Sequence, residues 1–218
     1  ETQRERDTKL LAQLKTERDS FDSHWRELGE HIFPRRIRFL ETDRNKGNKV
    51  SQKIINATAT LAARTLRSGM MAGISSPARP WRRLSTPDPD LAEFGPVKEW
   101  LFVVNKRMAT LSLRSNLYKC LPTVYGDAGV FATGAMGCFD DDEDLMRFYT
   151  FPIGSYWVAT NQRGIVDTFV RRFQLTVRQL VMMFGDPQAG PGERWAPFSH
   201  IVREAWDQGN YETPITVV

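Results

Sequence analysis

The sequence predicts an α+β fold in which a helical N-terminal half is followed by an antiparallel strand meander. Up to residue 134, apolar residues recur at three- and four-residue spacing, the period of an amphipathic helix. From residue 135 the chain changes to strand-like runs at 135–139, 145–151, 155–160 and 165–173. The connections between these runs are short, which favours antiparallel pairing. We therefore predict a helical part over residues 1–134 and a strand-rich part over 135–218.

The first predicted helix covers residues 5–33 and ends at Pro34. Its apolar residues fall on one face, with charged residues between them. That face comprises Leu10, Leu14, Phe21, Trp25, Leu28 and Ile32. A continuous helix of this length reaches about 40 Å, enough to run along a domain or to reach a neighbour. The polar segment 35–52 that follows is punctuated by glycine and is predicted to be a flexible loop.

The stretch from residue 53 to residue 84 is the one around which we expect the chain to be organised. Its helix has a face rich in alanine, so another helix or strand can approach closely. We predict that this face is buried and that a second stripe lies beside it. The buried face is Ile55, Ala59, Ala62, Leu66 and Met70, and the second stripe is Asn56, Thr60, Arg64 and Arg67. The turn at Pro77 and Pro80 ends the helix.

Two further helices follow a predicted strand over residues 81–85 and a turn over 86–90. The third helix opens at Pro96, because proline is favoured in a first turn. Its predicted core face is Val97, Trp100, Leu101, Val104, Met108 and Leu111. Ser115 and Asn116 can cap the fourth helix. Its predicted inward positions are Leu117, Leu121, Val124, Tyr125, Ala128 and Phe131, and glycines 126, 129 and 134 indicate tight packing.

The strand-rich part ends with a second set of short elements. Thr176 and Gln179 form a capping-box signature for a short helix that ends at Phe184, with Gly185 as its C-terminal residue. A loop rich in proline and glycine, 186–197, leads to a last helix near 199–208 and a final strand.

The charge of the chain is small in total but uneven. The net charge is +4, yet residues 35–83 contain twelve basic residues against two acidic ones, a local +10 that leaves −6 elsewhere. Arginine outnumbers lysine by twenty-two to eight, which favours bidentate contacts to phosphate or carboxylate. The pattern fits a polyanion partner, and it equally fits a solvated face that pairs with the acidic remainder of a neighbouring subunit.

Other features limit the class of protein. We expect a soluble chain that is not secreted, because there is neither a long apolar run nor a charged-then-apolar leader. Cys120 and Cys138 lie in different predicted elements, so we expect two small buried residues of a reducing compartment and no disulfide framework. The missing initiator Met and the apolar ending at 214–218 lead us to expect that the sequence stops inside a strand.

No arrangement of residues predicts a catalytic, cofactor-binding or metal-binding site. His24, Glu27 and His31 share a helix face, but without a fourth candidate they are better interpreted as surface residues. The acidic run 140–144 lacks the alternating ligands and central glycine of a calcium loop, and we predict an exposed hairpin tip. The sequence has no nucleophile elbow, zinc-protease motif or dinucleotide fingerprint.

The turn over residues 77–83 presents arginine guanidinium groups from a rigid backbone. We predict that the Trp81 ring is buried and that the arginines of the turn pair with acidic groups of the same or an adjacent subunit. The residues predicted to contact a polyanion or a subunit are Arg35, Arg36, Arg38, Arg79, Arg82 and Arg83. The predicted structural anchors are Trp25, Trp81 and Trp100.

The passage SGMMAGISSPARPW, followed by Asp88-Pro89, resembles the head-to-tail connector (portal) proteins of short-tailed bacteriophages of the podovirus type. Further motifs follow in that family's order along nearly the whole chain. They are Trp25 with Pro34-Arg35, Trp100-Leu101 with Met108, Ser115-Asn116-Leu117-Tyr118, Asp127-Ala128-Gly129 with Thr133-Gly134, and Gly164-Ile165-Val166-Asp167-Thr168 through Arg172 with Phe184-Gly185.

The resemblance implies a structural protein without enzymatic activity or cofactor. It implies a ring of twelve copies at one capsid vertex of the virion, assembled in the host cytoplasm, through which double-stranded DNA enters and leaves. The implied partners are the terminase packaging motor, the major capsid protein and scaffold, and a tail adaptor, with no membrane. This chain then forms most of the wing region, and the stem, clip and crown lie beyond it.

Two other functions fit some of the same residues. A stand-alone DNA-binding protein that uses residues 35–83 predicts salt-dependent affinity for DNA from an isolated monomer. A carboxylate-dependent nuclease that uses residues 140–144 predicts cleavage with a divalent metal.

Overall fold

The computed structural model describes residues 3–40, 47, 49–185 and 195–218. In these ranges it contains seven helices and six strands. The helices are α1 (Gln3–His31), α2 (Thr58–Ile74), α3 (Pro89–Glu93), α4 (Gly95–Arg114), α5 (Leu117–Phe131), α6 (Val177–Phe184) and α7 (His200–Asp207). The strands are β1 (Met136–Asp141), β2 (Leu145–Thr150), β3 (Tyr156–Thr160), β4 (Val166–Arg171), β5 (Phe173–Thr176) and β6 (Pro214–Val217). The predicted α+β class is confirmed.

The strands pair as three antiparallel ribbons, β1 with β2, β3 with β4 and β5 with β6. The first two are the hairpins expected from the short connections. No pairing joins β2 to β3, so the described strands of the two hairpins form separate two-stranded ribbons and not one sheet. None of the described helices is long and apolar enough to cross a bilayer.

The chain forms two compact units. The first contains Glu1–Ser20, Arg38–Gly47 and Gly154–Val218, and the second contains Phe21–Ile37 and Asn48–Ile153. Parts of two predicted loops, residues 41–46 and 48 of the loop 35–52 and residues 186–194 of the loop 186–197, lie outside the described residues. The predicted division after residue 134, which follows the change from helix to strand, stays a prediction.

The first unit has two apolar clusters. In one, Leu11 and Leu14 of α1 pack against Trp157 of β3. Arg18 lies 4.1 Å from the centre of the Trp157 ring and donates hydrogen bonds to the carbonyl of Tyr156 at 2.6 Å and to that of Gly154 at 3.1 Å. These contacts fix α1 to β3 within this unit.

The second cluster of the first unit is built by α6 and α7. It contains Val177, Leu180, Val181 and Val202, with aromatic residues packed around it. The predicted capping box begins α6, since the Thr176 hydroxyl accepts from the Gln179 N–H and the Gln179 side chain accepts from the Thr176 N–H. The Gly185 end, α7 and the last strand are also confirmed.

The second unit is organised by the packing of α2 on α5. A Cβ atom added at Gly129 of α5 would lie 2.7 Å from Leu66, and one at Gly126 would lie 3.3 Å from Phe33. A side chain at either position would press against these neighbours, so the two glycines favour the close packing that the glycines of the fourth helix predicted. The β1–β2 ribbon is held at the start of α5, where the Asn116 amide donates to the Phe148 carbonyl and accepts from its N–H, both at 2.7 Å.

The predicted buried face of α2 is wrong. Ile55 lies before the helix and is fully exposed, Leu66 is 48% exposed, and the buried residue of the helix is Ala63. Two residues of the polar stripe lie half-buried beside Ala63, because Thr60 donates a hydrogen bond to the Ile32 carbonyl at 3.2 Å and the methylenes of Arg67 cover Gly126. The other two, Asn56 and Arg64, are exposed.

Three smaller predictions are also corrected. Residues 81–85 form no strand, because a side chain of α4 takes the place of a strand partner, and the predicted turn 86–90 leads into the short helix α3. Trp100 is 63% exposed and is not part of the core face of α4. Both cysteines are free thiols, but Cys138 is exposed, and burial raises the pKa of the half-buried Cys120.

Candidate functional site

The arginine-rich turn, residues 77–84, begins where α2 ends. The C-cap residue Ser75 is fully buried, and the Tyr125 hydroxyl donates to its Oγ at 2.8 Å. Arg79 Nη2 donates to the carbonyls of Ala72 and Gly73, at 3.1 and 3.4 Å. The last carbonyls of a helix have no partner within it, so Arg79 serves as a cap of α2.

Arg82 attaches the turn to α4. Its Nη2 donates to the Met108 carbonyl at 2.8 Å and also to the Oγ of Ser112, which is fully buried. The guanidinium lies 5.3 Å from the centre of the Trp81 ring, whose Nε1 donates to the Tyr118 hydroxyl at 3.1 Å. The prediction of a buried Trp81 ring is wrong, because the turn runs over the surface of the helices and leaves the residue 38% exposed.

Asn105 of α4 fixes the end of the turn. Its Oδ1 accepts from the Leu84 N–H at 2.8 Å, and its Nδ2 donates to the carbonyls of Leu84 at 3.2 Å and Leu101 at 2.9 Å. One side chain thus satisfies both backbone groups of Leu84, as a neighbouring strand would. Helical spacing gives no sign of this role of Asn105, because it does not show which backbone groups lie beside a helix.

Arg36 forms a bidentate ion pair with Asp127 of α5. Its Nε lies 2.9 Å from Oδ1, its Nη2 donates to Oδ2, and Nη2 also donates to the Phe151 carbonyl at 3.2 Å. Asp127 is 1% exposed. Burial raises the pKa of the Asp127 carboxyl, and the Arg36 guanidinium offsets part of that effect. Helical spacing indicates that Asp127 is buried, since it lies three residues after Val124 and four before Phe131, on the predicted inward stripe.

The remaining predicted residues are distributed over both units. Arg35 and Arg83 are exposed, and Arg38 is half-buried. The hydrogen bond from Lys98 and its charge, with a smaller effect of Arg83, hold the pKa of Glu93 below its usual value. Trp25 is half-buried and donates from Nε1 to the Phe131 carbonyl at 3.1 Å.

The outer face of α4 exposes large apolar side chains together with basic ones. Its apolar residues are Trp100, Phe102, Val103 and Leu113, with exposed fractions of 63%, 68%, 39% and 59%. Its basic residues are Lys106, Arg107 and Arg114, all of them exposed. The opposite face carries the half-buried residues that pack inward. The sequence of α4 has large apolar residues on both faces of the helix, and this pattern indicates that the outer face is also covered by a partner.

The acidic tip, residues 139–145, is the end of the β1–β2 hairpin and includes its turn, residues 142–144. The predicted exposed hairpin tip over 140–144 is confirmed. Asp141 Oδ1 accepts from the N–H groups of Glu143 and Asp144, each at 3.0 Å. These two bonds hold the pKa of Asp141 below its usual value, with a smaller contribution from Arg147. Within the described ranges, no three His, Cys, Asp or Glu residues are grouped to hold a metal ion.

Comparison with known proteins relates this chain to phage proteins. The model of the bacteriophage head to tail connecting protein family matches residues 4–218. The portal protein of Salmonella phage epsilon15 is 49% identical over 217 residues, which is 100% of this chain and 37% of that protein. The probable portal protein of Bordetella phage BPP-1 is 38% identical over 206 residues, which is 94% of this chain and 36% of that protein. The chain thus spans little more than a third of the length of these relatives.

Proposed function

The chain belongs to the family of bacteriophage head-to-tail connecting proteins, and we propose that it is the wing region of a portal subunit that assembles into a closed ring at one capsid vertex. The observation that carries this proposal is the match to the family along residues 4–218, together with two portal-type relatives aligned over almost the whole chain. Components of this kind are part of the virion.

The exposed surface of the second unit supports assembly. Four large apolar side chains are exposed on a single helix, α4. Exposed large apolar side chains concentrated on one helix are more often found where a protein associates with a partner than on a free surface. A surface that contacts a different surface on the next copy produces a ring when the rotation closes. The ring of this proposal contains twelve copies.

In this role the protein is a conduit and a docking point. Double-stranded DNA enters and leaves through the ring, the terminase motor and later the tail adaptor dock on it, and the major capsid protein and scaffold surround it during assembly in the host cytoplasm. The subunit catalyses none of these steps. The arginines proposed to contact DNA or a neighbouring subunit are best represented by Arg83 and Arg35, which are exposed.

Electron microscopy of the full-length protein tests the proposal. We expect negative-stain images to show closed rings with a central channel, and mass photometry to give one mass that corresponds to a fixed number of copies. The 218-residue chain by itself should associate more weakly, because the remaining segments contribute to closure. Only monomers or two-fold dimers at micromolar concentration, at both low and moderate salt, would overturn the proposal.

A stand-alone DNA-binding protein is the second candidate, and the local charge of +10 over residues 35–83 favours it. Against it, Arg36, Arg79 and Arg82 donate to protein acceptors. Fluorescence anisotropy with a labelled duplex separates the two candidates. A DNA-binding monomer would lose about 10³-fold or more in affinity between 50 and 200 mM salt, whereas we expect weak binding at both concentrations.

A further inference from the structure

The outer face of α4 combines exposed apolar area with unneutralised positive charge. Within the described part of the chain, Lys106, Arg107 and Arg114 have no ion-pair partner, and Glu99 is the one acidic residue on the exposed side of the helix. An apolar surface bordered by cations fits a partner that is apolar and acidic. A surface with that chemistry is present on the same chain.

The acidic tip of this same chain has the complementary composition. Asp140, Asp142, Glu143 and Asp144 are exposed and have no ion-pair partner among the described residues. They are bordered by the exposed apolar side chain of Leu145, at 64%, and the 42% exposed ring of Phe139 lies further back on β1, over Gly137. The tip is thus anionic and apolar where the outer face of α4 is cationic and apolar.

The conformation of Leu145 supports a role beyond the hairpin itself. Its φ is +66°, in the left-handed region that suits glycine or asparagine at this place in a short hairpin loop. The side chain gains little from burial within the chain, because 64% of its surface is exposed. A leucine here is therefore unfavourable for the isolated hairpin, as is expected where an apolar side chain serves a contact outside the hairpin.

We propose that the outer face of α4 in one copy binds the acidic tip of the β1–β2 hairpin in a second copy of the chain. The inference rests on the proposed function and specifies the surfaces by which neighbouring subunits meet. The two surfaces differ, so the contact is head-to-tail and each copy retains one free surface of each kind until a ring closes. Apolar contact provides most of the affinity, and the charges fix the register.

Single-stranded nucleic acid is the rival occupant, because bases stack on exposed aromatic side chains beside cations. The outer face of α4 favours the protein partner for two reasons. Val103 and Leu113 are aliphatic and give no stacking surface, and a complementary surface is present on every copy. The affinity of the α4 charge-reversal variant for a labelled single strand tests this rival.

Charge reversal in the full-length protein tests the contact. One variant carries Asp142→Lys, Glu143→Lys and Asp144→Lys, which leaves the turn-forming Asp141 in place, and the other carries Lys106→Glu, Arg107→Glu and Arg114→Glu. We expect each variant alone to need about tenfold higher concentration for ring formation. An equimolar mixture should assemble like the wild type, because both contacts in an alternating ring then join opposite charges.

Leu145→Asn is the matched variant for the apolar part of the contact. Asparagine tolerates the left-handed conformation, so the stability of the chain should be unchanged or higher. Assembly should nevertheless weaken on the order of tenfold, because an apolar contact is lost. Circular dichroism verifies the fold of all three variants, and mass photometry over a concentration series measures ring formation.

The outcomes separate this inference from the proposed function. If the wild type forms no rings, the proposed function fails. If the wild type forms rings and both charge-reversal variants assemble equally well, or if their mixture shows no recovery, the contact between α4 and the tip is wrong and the ring is held by other surfaces. If the α4 variant assembles normally but loses affinity for a labelled 20-nucleotide single strand, the face binds nucleic acid instead.

Discussion

The ion pair between Arg36 and Asp127 shows how a charged residue becomes part of the core of the second unit. Asp127 is 1% exposed and the Arg36 side chain 22% exposed. Removal of one member leaves the other charge without a partner, whereas replacement of both removes the need to desolvate either. We therefore expect Asp127→Ala to lower the free energy of unfolding by about 3 kcal/mol. Urea denaturation of the 218-residue chain at neutral pH measures this loss.

The control for this prediction is the double variant Arg36→Met with Asp127→Leu, which replaces the pair by apolar side chains of similar length. It should be more stable than Asp127→Ala, because it contains no unpaired buried charge. A double variant that is less stable than the single one would show that the pair contributes net stability by itself.

The raised pKa of Asp127 predicts a pH dependence of known sign. Because burial raises this pKa in the folded protein, the carboxyl binds its proton more tightly there than in the unfolded chain. Its contribution to stability is fully present below the unfolded pKa and is lost as pH rises through the folded pKa. Asp127→Asn does not titrate, so the stability of the wild type relative to this variant should fall as pH rises above the ordinary pKa of an aspartyl carboxyl.

Urea denaturation of both proteins at several pH values checks this prediction. The difference between them isolates Asp127, since every other titrating group is shared. A wild type that gains stability relative to Asp127→Asn as pH rises would mean that Arg36 outweighs burial and lowers the pKa.

At the level of elements, the sequence predicts which segments are helical better than it predicts which faces they bury. Helical spacing locates α1, α2, α4 and α5, and the capping box locates α6. The stripes Ala59-Ala62-Leu66 and Thr60-Ala63-Arg67 are neighbours on α2. Tertiary contacts decide between them, because Thr60 finds a carbonyl acceptor and Arg67 covers a glycine. Helical spacing contains no information about such acceptors.

The segment 81–85 is an extended chain that one side chain of α4 keeps in place. Loss of the Asn105 amide leaves the N–H and carbonyl of Leu84 without their partners. We expect Asn105→Ala to lower the free energy of unfolding by about 1 kcal/mol, because Leu84 is exposed and water can replace the lost partner, and to accelerate hydrogen exchange at the Leu84 amide. Nuclear magnetic resonance exchange rates of the wild type and the variant test this.

Asn105→Asp is the matched control for that prediction, since the carboxylate keeps an acceptor for the Leu84 N–H but has no donor for the carbonyls of Leu84 and Leu101. Protection of the Leu84 amide should be largely retained in Asn105→Asp and lost in Asn105→Ala. Equal protection in wild type and Asn105→Ala would mean that Arg82 alone positions the segment.

For the whole molecule, the sequence locates charge but not what neutralises it. The basic block over residues 35–83 is evident from composition, whereas its distribution among acceptors is not. Arg36 pairs with a carboxylate, and Arg79 and Arg82 donate to helix carbonyls. Every residue has a backbone carbonyl, so the sequence does not show which of them accepts from an arginine. The exposed face of α4 was missed for a related reason. Trp100 is predicted to be a core residue of α4, because an apolar side chain that is left exposed looks the same in sequence as a buried one.

The structure of the acidic tip argues against a metal-dependent nuclease activity. Asp141 Oδ1 accepts from two backbone N–H groups of the hairpin turn, and no three His, Cys, Asp or Glu residues of the described chain are grouped to hold a metal ion. A metal-dependent nuclease needs converging carboxylates that bind the ion beside the scissile phosphate. We therefore expect no cleavage of supercoiled plasmid DNA after incubation with the protein and magnesium or manganese, with gel electrophoresis as the measurement. A contaminating nuclease would cleave equally with the Asp141→Asn, Asp142→Asn variant, whereas cleavage that this variant abolishes would establish an enzyme.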